Sequence, residues 1–163
     1  LPQTVGVAGD SAGGNLAAAV ALKAREMNIA LSFQLLIYPC LDRDFSTNSY
    51  RENATGFGLS TQAMQWFWDQ YLQGNFHDHD PYALPLRSRS LKGVAPAVVI
   101  TAEYDPLLSD SEKYVTALHR DSVQVFYRNF EGMIHGFFTN LAVTPNATLA
   151  IDWAAAEISK ITR

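Results

Sequence analysis

Short apolar segments alternate with amphipathic segments along this chain. β-Strands are predicted where apolar runs end at turn residues, at 4–8, 32–38, 97–102 and 123–127. Helices are predicted from helical spacing of apolar positions, at about 11–27, 61–73, 109–121 and 144–162. The polar segments 41–60 and 74–95 are predicted to be loops. Near-continuous apolar strands between amphipathic helices are typical of a parallel sheet covered on both faces. The predicted class is therefore α/β, with about four parallel strands flanked by helices.

The first predicted strand lies close to the first residue of the sequence. A parallel sheet buried on both faces needs a neighbour or a cover at each edge, yet only Leu1-Pro2-Gln3 precedes this strand. Two interpretations stay open. The strand is an exposed apolar edge, or further strands belong on that side and are missing from this sequence.

Composition narrows the classes of protein that the chain can represent. Its 163 residues suit one domain, and 48% apolar against 17% charged residues allow a sizeable core. The formal net charge of −4 provides no basic stripe, so we expect no nucleic-acid partner. Cys40 is the sole cysteine, which excludes an internal disulfide and a multi-cysteine zinc site. The sequence shows neither a membrane-spanning apolar run nor a signal pattern, so a cytoplasmic protein is expected.

The strongest chemical signal is Gly9-Asp10-Ser11-Ala12-Gly13, placed between a predicted strand and a predicted helix. This context is typical of a nucleophile elbow, in which a strained turn lifts a serine out of the sheet. Gly9 and Gly13 fit this context because we expect a Cβ at either position to collide with neighbouring elements. The alternatives are a plain glycine-rich turn or a phosphate-binding loop, although the lysine of a P-loop is missing.

A nucleophilic serine needs a base, and the base needs an acid that orients it. Asp105 follows the predicted strand 97–102, and His135 follows the predicted strand 123–127. Both therefore belong at the carboxyl edge of the sheet, where ligands bind in open α/β folds. The chain order Ser11, Asp105, His135 is also the order that the elbow architecture requires.

These motifs resemble the hormone-sensitive lipase family of carboxylesterases. The matching stretches are 8–17, 36–39, 102–107 and 131–137, with weaker agreement at 49–53, 66–68 and 71–72. The resemblance implies the α/β-hydrolase fold and implies Ser11 as nucleophile, Asp105 as acid and His135 as base. It also implies that the backbone N–H of Ala12 is one oxyanion-hole donor.

The sequence departs from that family chiefly by what it does not contain. The family's His-Gly-Gly-Gly motif, its cap and its first strands are absent from this sequence. We therefore expect residues 1–163 to be the C-terminal part of one α/β-hydrolase catalytic domain. On its own such a part should be a poor esterase, because losing one oxyanion donor costs about 10²–10³ in kcat.

The expected function is hydrolysis of small-molecule carboxylic esters of short to medium acyl chain, with no metal or cofactor. Activity should fall as the pH drops through about 6–7, because the histidine must be neutral to act as base. A non-catalytic binding protein of the same fold and a serine peptidase remain alternatives. A homo-oligomer formed through the first strand or the last helix is also left open.

Several other residues are interpreted as structural. His77-Asp78-His79-Asp80 resembles a metal site, but adjacent loop residues rarely converge on one ion, so a solvated loop is favoured. Cys40 is expected to be a small buried side chain and His119 to lie on the surface. The aromatic residues of the predicted helix 61–73 are assigned to packing; these are Trp66, Phe67, Trp68 and Tyr71.

Overall fold

A computed structural model describes residues 4–73 and 80–163. The β-strands are β1 (Gly6–Asp10), β2 (Phe33–Ile37), β3 (Ala97–Tyr104) and β4 (Val125–Ile134). The α-helices are α1 (Ala12–Glu26), α2 (Asn48–Glu52), α3 (Thr61–Leu72), α4 (Leu108–Arg120) and α5 (Pro145–Ile161). Single 3₁₀ turns span Pro85–Arg87 and Phe137–Thr139. The four strands form one parallel sheet in the order β1-β2-β3-β4, which confirms the predicted α/β class.

Alternating residues of the central strands divide the core between the two faces of the sheet. Val99 packs in a cluster with α1 and α4, whereas Val98 and Ile100 pack with α5 on the opposite face. This alternation follows from the period of two along a β-strand. The near-continuous apolar pattern of β3 is therefore explained by helices on both faces.

A third apolar cluster lies at the carboxyl edge of the sheet. It contains Cys40, Tyr50, Met64, Trp68, Leu84 and Leu107. The cluster holds α2 and α3 over this edge, so the prediction of a loop throughout 41–60 is wrong at α2. The residues of α2 are mostly polar and show no helical pattern of apolar positions, so the helix depends on packing for its stability. Trp68 is buried as expected, but Trp66, Phe67 and Tyr71 are exposed, so the packing assignment holds for one aromatic residue of four.

Strand β1 is one of the two edges of the sheet in the described part of the chain. It begins two residues later than predicted, at Gly6, and its residues are alternately exposed and half-buried. Val5 beside it and Leu16 and Val20 on α1 are also about half exposed. Among the described residues, the first strand is thus an exposed apolar edge.

Strand β4 is longer than predicted, because it continues to Ile134 rather than ending at residue 127. Ala102 pairs with Phe130, but Tyr104 pairs with Ile134, so a bulge in β4 accommodates the extra residues. Gly132 lies inside this bulge with a φ of 73°. The polar residues and the glycine of this segment interrupt the apolar pattern, so the sequence predicts the end of the strand too early.

The described residues include no helix that is both long enough and apolar enough to cross a membrane.

Candidate active site

Ser11 lies in a strained turn between β1 and α1. Its φ of 53° and ψ of −117° fall outside the regions that a non-glycine residue ordinarily adopts. Backbone hydrogen bonds hold this conformation: the Ser11 N–H donates to the Ile37 carbonyl at 2.9 Å, and the Ser11 carbonyl accepts from the Asn15 N–H at 3.1 Å. Pairing with β2 on one side and the first turn of α1 on the other therefore fix the serine.

Two of the glycines around Ser11 are required by close packing. A Cβ on Gly9 would overlap the backbone carbonyl of Gly13, and a Cβ on Gly14 would lie 2.8 Å from the Pro39 Cβ. At Gly13 the nearest atom of another element, an Asp10 carboxylate oxygen, would be 3.9 Å away. The expectation of crowding is thus correct for Gly9 and wrong for Gly13; the tight contact with the residues after β2 falls on Gly14.

His135 follows the end of β4 and bridges the other two predicted residues. Its Nε2 lies 2.9 Å from the Ser11 Oγ, and its Nδ1 lies 2.6 Å from the Asp105 Oδ2. The imidazole packs against the ring of Tyr38, with the ring centroids 4.6 Å apart and the ring planes tilted by 54°. Tyr38 has a φ of 35°, so a second strained residue lies beside the histidine.

Asp105 is fully buried at the end of β3. Its Oδ1 accepts a hydrogen bond from the Leu107 N–H at 2.9 Å, which leaves Oδ2 directed at His135. Because a carboxylate can only accept, Nδ1 of His135 carries the proton of that bond. Nε2 is then free to accept the proton of the Ser11 hydroxyl.

Burial and the nearby carboxylates shift the titration of several groups around the trio of Ser11, Asp105 and His135. Burial, reinforced by Asp10 and Asp105, raises the pKa of the Tyr38 hydroxyl. Burial likewise raises the pKa of the Cys40 thiol to about 12, so this cysteine is a neutral packing residue, as expected. Burial also raises the pKa of Asp110 to about 8, although its carboxylate accepts from two backbone N–H groups.

The remaining predicted site residues lie as follows. Ala12 is the first residue of α1 and is exposed directly beside Ser11, where a helix has backbone N–H groups without intrahelical acceptors. Of the suggested metal motif, His77, Asp78 and His79 lie outside the described residues. Within 4–73 and 80–163, no group of three or more His, Cys, Asp and Glu side chains could hold a metal ion. His119 is exposed, as expected.

Sequence reasoning missed three side chains that contact the trio or the turn that carries Asp105. Tyr38 packs on His135, while Ser49 and Asn53 bond to the backbone around Asp105. Ser49 and Asn53 are four residues apart and would share one face of a helix, but the sequence predicts a loop here, so their spacing alone does not identify them.

A family model described as alpha/beta hydrolase fold matches residues 1–139. The chain belongs to this family. Two features of the structure agree with this family: the four parallel strands with flanking helices, and the sharp turn that carries Ser11 after β1.

Several similar proteins are carboxylesterases. The carboxylic ester hydrolase LipN of Mycobacterium tuberculosis is 39% identical over 143 residues, covering 84% of this chain and 38% of LipN. The carboxylesterase NlhH of the same organism is 36% identical over 163 residues, covering 98% of this chain and 51% of NlhH. The crystal structure of EstE1, a thermophilic carboxylesterase from a metagenomic library, superimposes with a TM-score of 0.91 at 36% identity. That match covers 97% of this chain and 55% of EstE1.

These similarities confirm the resemblance to a carboxylesterase of the α/β-hydrolase fold. The chain spans about half or less of the length of these relatives.

Proposed function

We propose that this chain carries the catalytic residues of a carboxylic ester hydrolase. The observation that supports this most strongly is the continuous hydrogen-bonded path from Ser11 through His135 to Asp105, with distances of 2.9 and 2.6 Å. Nucleophile, base and orienting acid are in contact, in the arrangement that acyl transfer through a serine requires.

In the proposed reaction, the Ser11 Oγ attacks the ester carbonyl while Nε2 of His135 takes its proton. The carbonyl oxygen becomes an oxyanion, which the N–H of Ala12 and the N-terminus of α1 stabilise. Collapse of this intermediate breaks the bond to the alcohol, which leaves with the proton from His135. Water then attacks the acyl-enzyme with His135 again as base, and the acid is released from Ser11.

Asp105 supports both halves of this reaction. Its buried carboxylate holds the proton on Nδ1 of His135 and so keeps Nε2 available as a base. When His135 is protonated in each transition state, the carboxylate also stabilises the imidazolium charge.

We propose small-molecule esters of short to medium acyl chain as substrates, on the strength of the family resemblance. The carboxylesterase relatives support an ester as the scissile bond. A panel of p-nitrophenyl esters with increasing acyl length, assayed beside a peptide anilide, tests both points. Preferential cleavage of the anilide would favour a peptidase instead.

Labelling with a fluorophosphonate probe tests the role of Ser11 directly, because the probe reacts with an activated serine. We expect the protein to be labelled and Ser11→Ala to lose both labelling and esterase activity. The matched control is Ser159→Ala, which removes an exposed hydroxyl from α5 and should leave both unchanged. Absence of labelling in the unmodified protein would favour a non-catalytic binding protein.

We also propose that residues 1–163 are the C-terminal part of a longer catalytic domain, acting in the cytoplasm. The matched share of LipN, NlhH and EstE1 supports the proposal that the catalytic domain is longer than this chain. With one oxyanion donor fewer, the 163-residue chain should turn over about 10²–10³ times more slowly than the full gene product. Equal turnover of the 163-residue chain and the full gene product would contradict the proposal of a longer catalytic domain.

Self-association through β1 or α5 is a further part of the proposal. For α5 it is supported by exposed Leu149 and Ile151. For β1 it applies to the isolated 163-residue chain, in which the edge of that strand is exposed among the described residues. Light scattering coupled to gel filtration measures the oligomeric state, and a monomer across a wide concentration range would contradict it.

A further inference from the structure

Helix α2 lies against the turn that carries Asp105, and it directs buried polar side chains at that turn. Ser49 in α2 and Asn53, which directly follows the helix, are buried, whereas Arg51 and Glu52 between them are exposed. The two buried side chains are four residues apart and share one face of the helix. Burial of polar groups is costly unless they are hydrogen-bonded, so their partners indicate what they do.

Ser49 forms hydrogen bonds with the backbone immediately after Asp105. Its hydroxyl donates to the Pro106 carbonyl at 2.6 Å and accepts from the Ser109 N–H at 3.0 Å. The Ser49 N–H in turn donates to the Ser109 hydroxyl at 3.3 Å. One serine of α2 thus holds both the peptide after Asp105 and the first turn of α4.

Asn53 holds the backbone of Asp105 itself. Its Nδ2 donates to the Asp105 carbonyl at 3.2 Å and to the Glu103 carbonyl at 3.4 Å. The Asp105 carbonyl also accepts from the Leu108 N–H at 3.2 Å. The peptide that carries the carboxylate is therefore fixed by α4 on one side and by α2 on the other.

The same turn is joined to the segment that carries His135. The Glu103 carboxylate accepts from the Gly132 N–H at 2.6 Å, within the bulge of β4 and three residues before His135. Through Glu103, Asn53 is connected to the strand that positions the base as well as to the acid.

We propose that Ser49 and Asn53 are positioning residues for the Asp105–His135 pair, an inference that rests on the proposed function. They act through the backbone: they fix the turn so that the Asp105 Oδ2 reaches Nδ1 of His135 at 2.6 Å. A misplacement of about 1 Å in a catalytic constellation can cost 10²-fold in rate. The effect should fall on kcat, since neither side chain is placed to bind the substrate.

The decisive variant is Asn53→Asp, which keeps the shape of the side chain and replaces its amide donor with an acceptor facing two carbonyls. Ser49→Ala is the second variant, and Glu52→Gln on the exposed face of α2 is the matched control. The full gene product is used, numbered as here. Each protein is examined by ¹H NMR for the downfield proton of the His135–Asp105 hydrogen bond, by steady-state kinetics across pH, and by thermal unfolding.

We expect Asn53→Asp to shift or abolish the downfield resonance and to lower kcat about 10–100-fold with little change in KM. Ser49→Ala should change the same quantities in the same direction, and Glu52→Gln should match the unmodified protein.

An unaltered resonance and kcat in Asn53→Asp would overturn the inference even if the protein melted at a lower temperature, since that result describes a purely structural role. If Asn53→Asp does not fold, Ser49→Ala decides by the same criteria. An unmodified protein that shows the resonance but neither hydrolyses esters nor takes the fluorophosphonate would refute the proposed function. The NMR comparison would still decide the role of α2.

Discussion

Replacement of Asp105 by asparagine tests the orientation of the histidine with the least change of shape. In the structure, the Asp105 Oδ1 accepts from the Leu107 N–H at 2.9 Å and Oδ2 lies 2.6 Å from Nδ1 of His135. In Asp105→Asn, the new side chain can keep the first bond through its oxygen, which turns its amide N–H₂ toward His135. Nδ1 must then accept, and the ring proton moves to Nε2, where it faces the Ser11 hydroxyl.

In that tautomer, Nε2 cannot take the proton of Ser11. Loss of the correct tautomer in a Ser-His-Asp triad lowers kcat by about 10⁴, which corresponds to about 5.4 kcal/mol of transition-state stabilisation. The fold should tolerate the change, because the variant replaces a buried carboxylate with a neutral group of the same size. We therefore expect a large loss of kcat, slow fluorophosphonate labelling and little change in the unfolding temperature.

The control for Asp105→Asn is Asp110→Asn, the same change at another aspartate with no exposed surface. The Asp110 Oδ2 accepts from the N–H groups of Leu41 and Asp42 at 3.0 and 3.1 Å, and asparagine can keep both bonds through its oxygen. We expect its kcat with a p-nitrophenyl ester to fall less than about tenfold, since a correctly placed neutral substitute loses no reacting group. A similarly small loss in Asp105→Asn, with the protein folded, would refute the role of Asp105 as orienting acid.

Three further comparisons test other parts of the structure. Gly9→Ala should prevent folding or lower the free energy of unfolding by more than about 3 kcal/mol, whereas Gly13→Ala should stay within about 1 kcal/mol of the unmodified protein. Urea denaturation measures both variants, and equal losses of stability would contradict the packing described. Tyr38→Leu should lower kcat about tenfold by removing the ring that packs on His135, whereas Tyr38→Phe should keep the kcat of the unmodified protein. An unchanged kcat in Tyr38→Leu would show that the ring is not needed. Burial raises the pKa of Asp110 to about 8 from 3.8, so the folded protein keeps a proton that the unfolded chain has lost between these values. This group therefore lowers stability as the pH rises through about 4–8, and Asp110→Asn should reduce the difference between urea midpoints at pH 5 and pH 8; an unchanged difference would contradict it.

The trio could be predicted from the sequence because each of its members follows an apolar strand. Ser11 also lies in a glycine motif whose local sterics are distinctive. Asp105 and His135 were placed at the correct edge even though β4 ends seven residues later than predicted, at Ile134 instead of residue 127. The carboxyl end of a parallel strand stays at the same edge of the sheet when the strand is lengthened. The error in the length of β4 therefore does not change the predicted location of His135.

The parts that the sequence did not predict depend on tertiary contacts. Helix α2 has five residues, too few for its periodicity to be recognised, and it forms because Tyr50 packs in the third apolar cluster. The crowding at Gly14 arises from Pro39, which is distant in sequence, so local reasoning assigned it to Gly13 instead. The contact of Tyr38 with His135 likewise joins the ends of two strands that do not pair directly.

The hydrogen bond between Ser11 and His135 joins residues 124 positions apart, across all four strands. Closing so long a segment lowers the chain entropy, and no contacts between residues close in sequence offset this loss. This contact can therefore form only after the sheet is assembled. Reactivity of Ser11 therefore reports completion of folding. During refolding, helix content measured by circular dichroism should recover before fluorophosphonate labelling does, and the interval between them measures how long the assembled sheet takes to form.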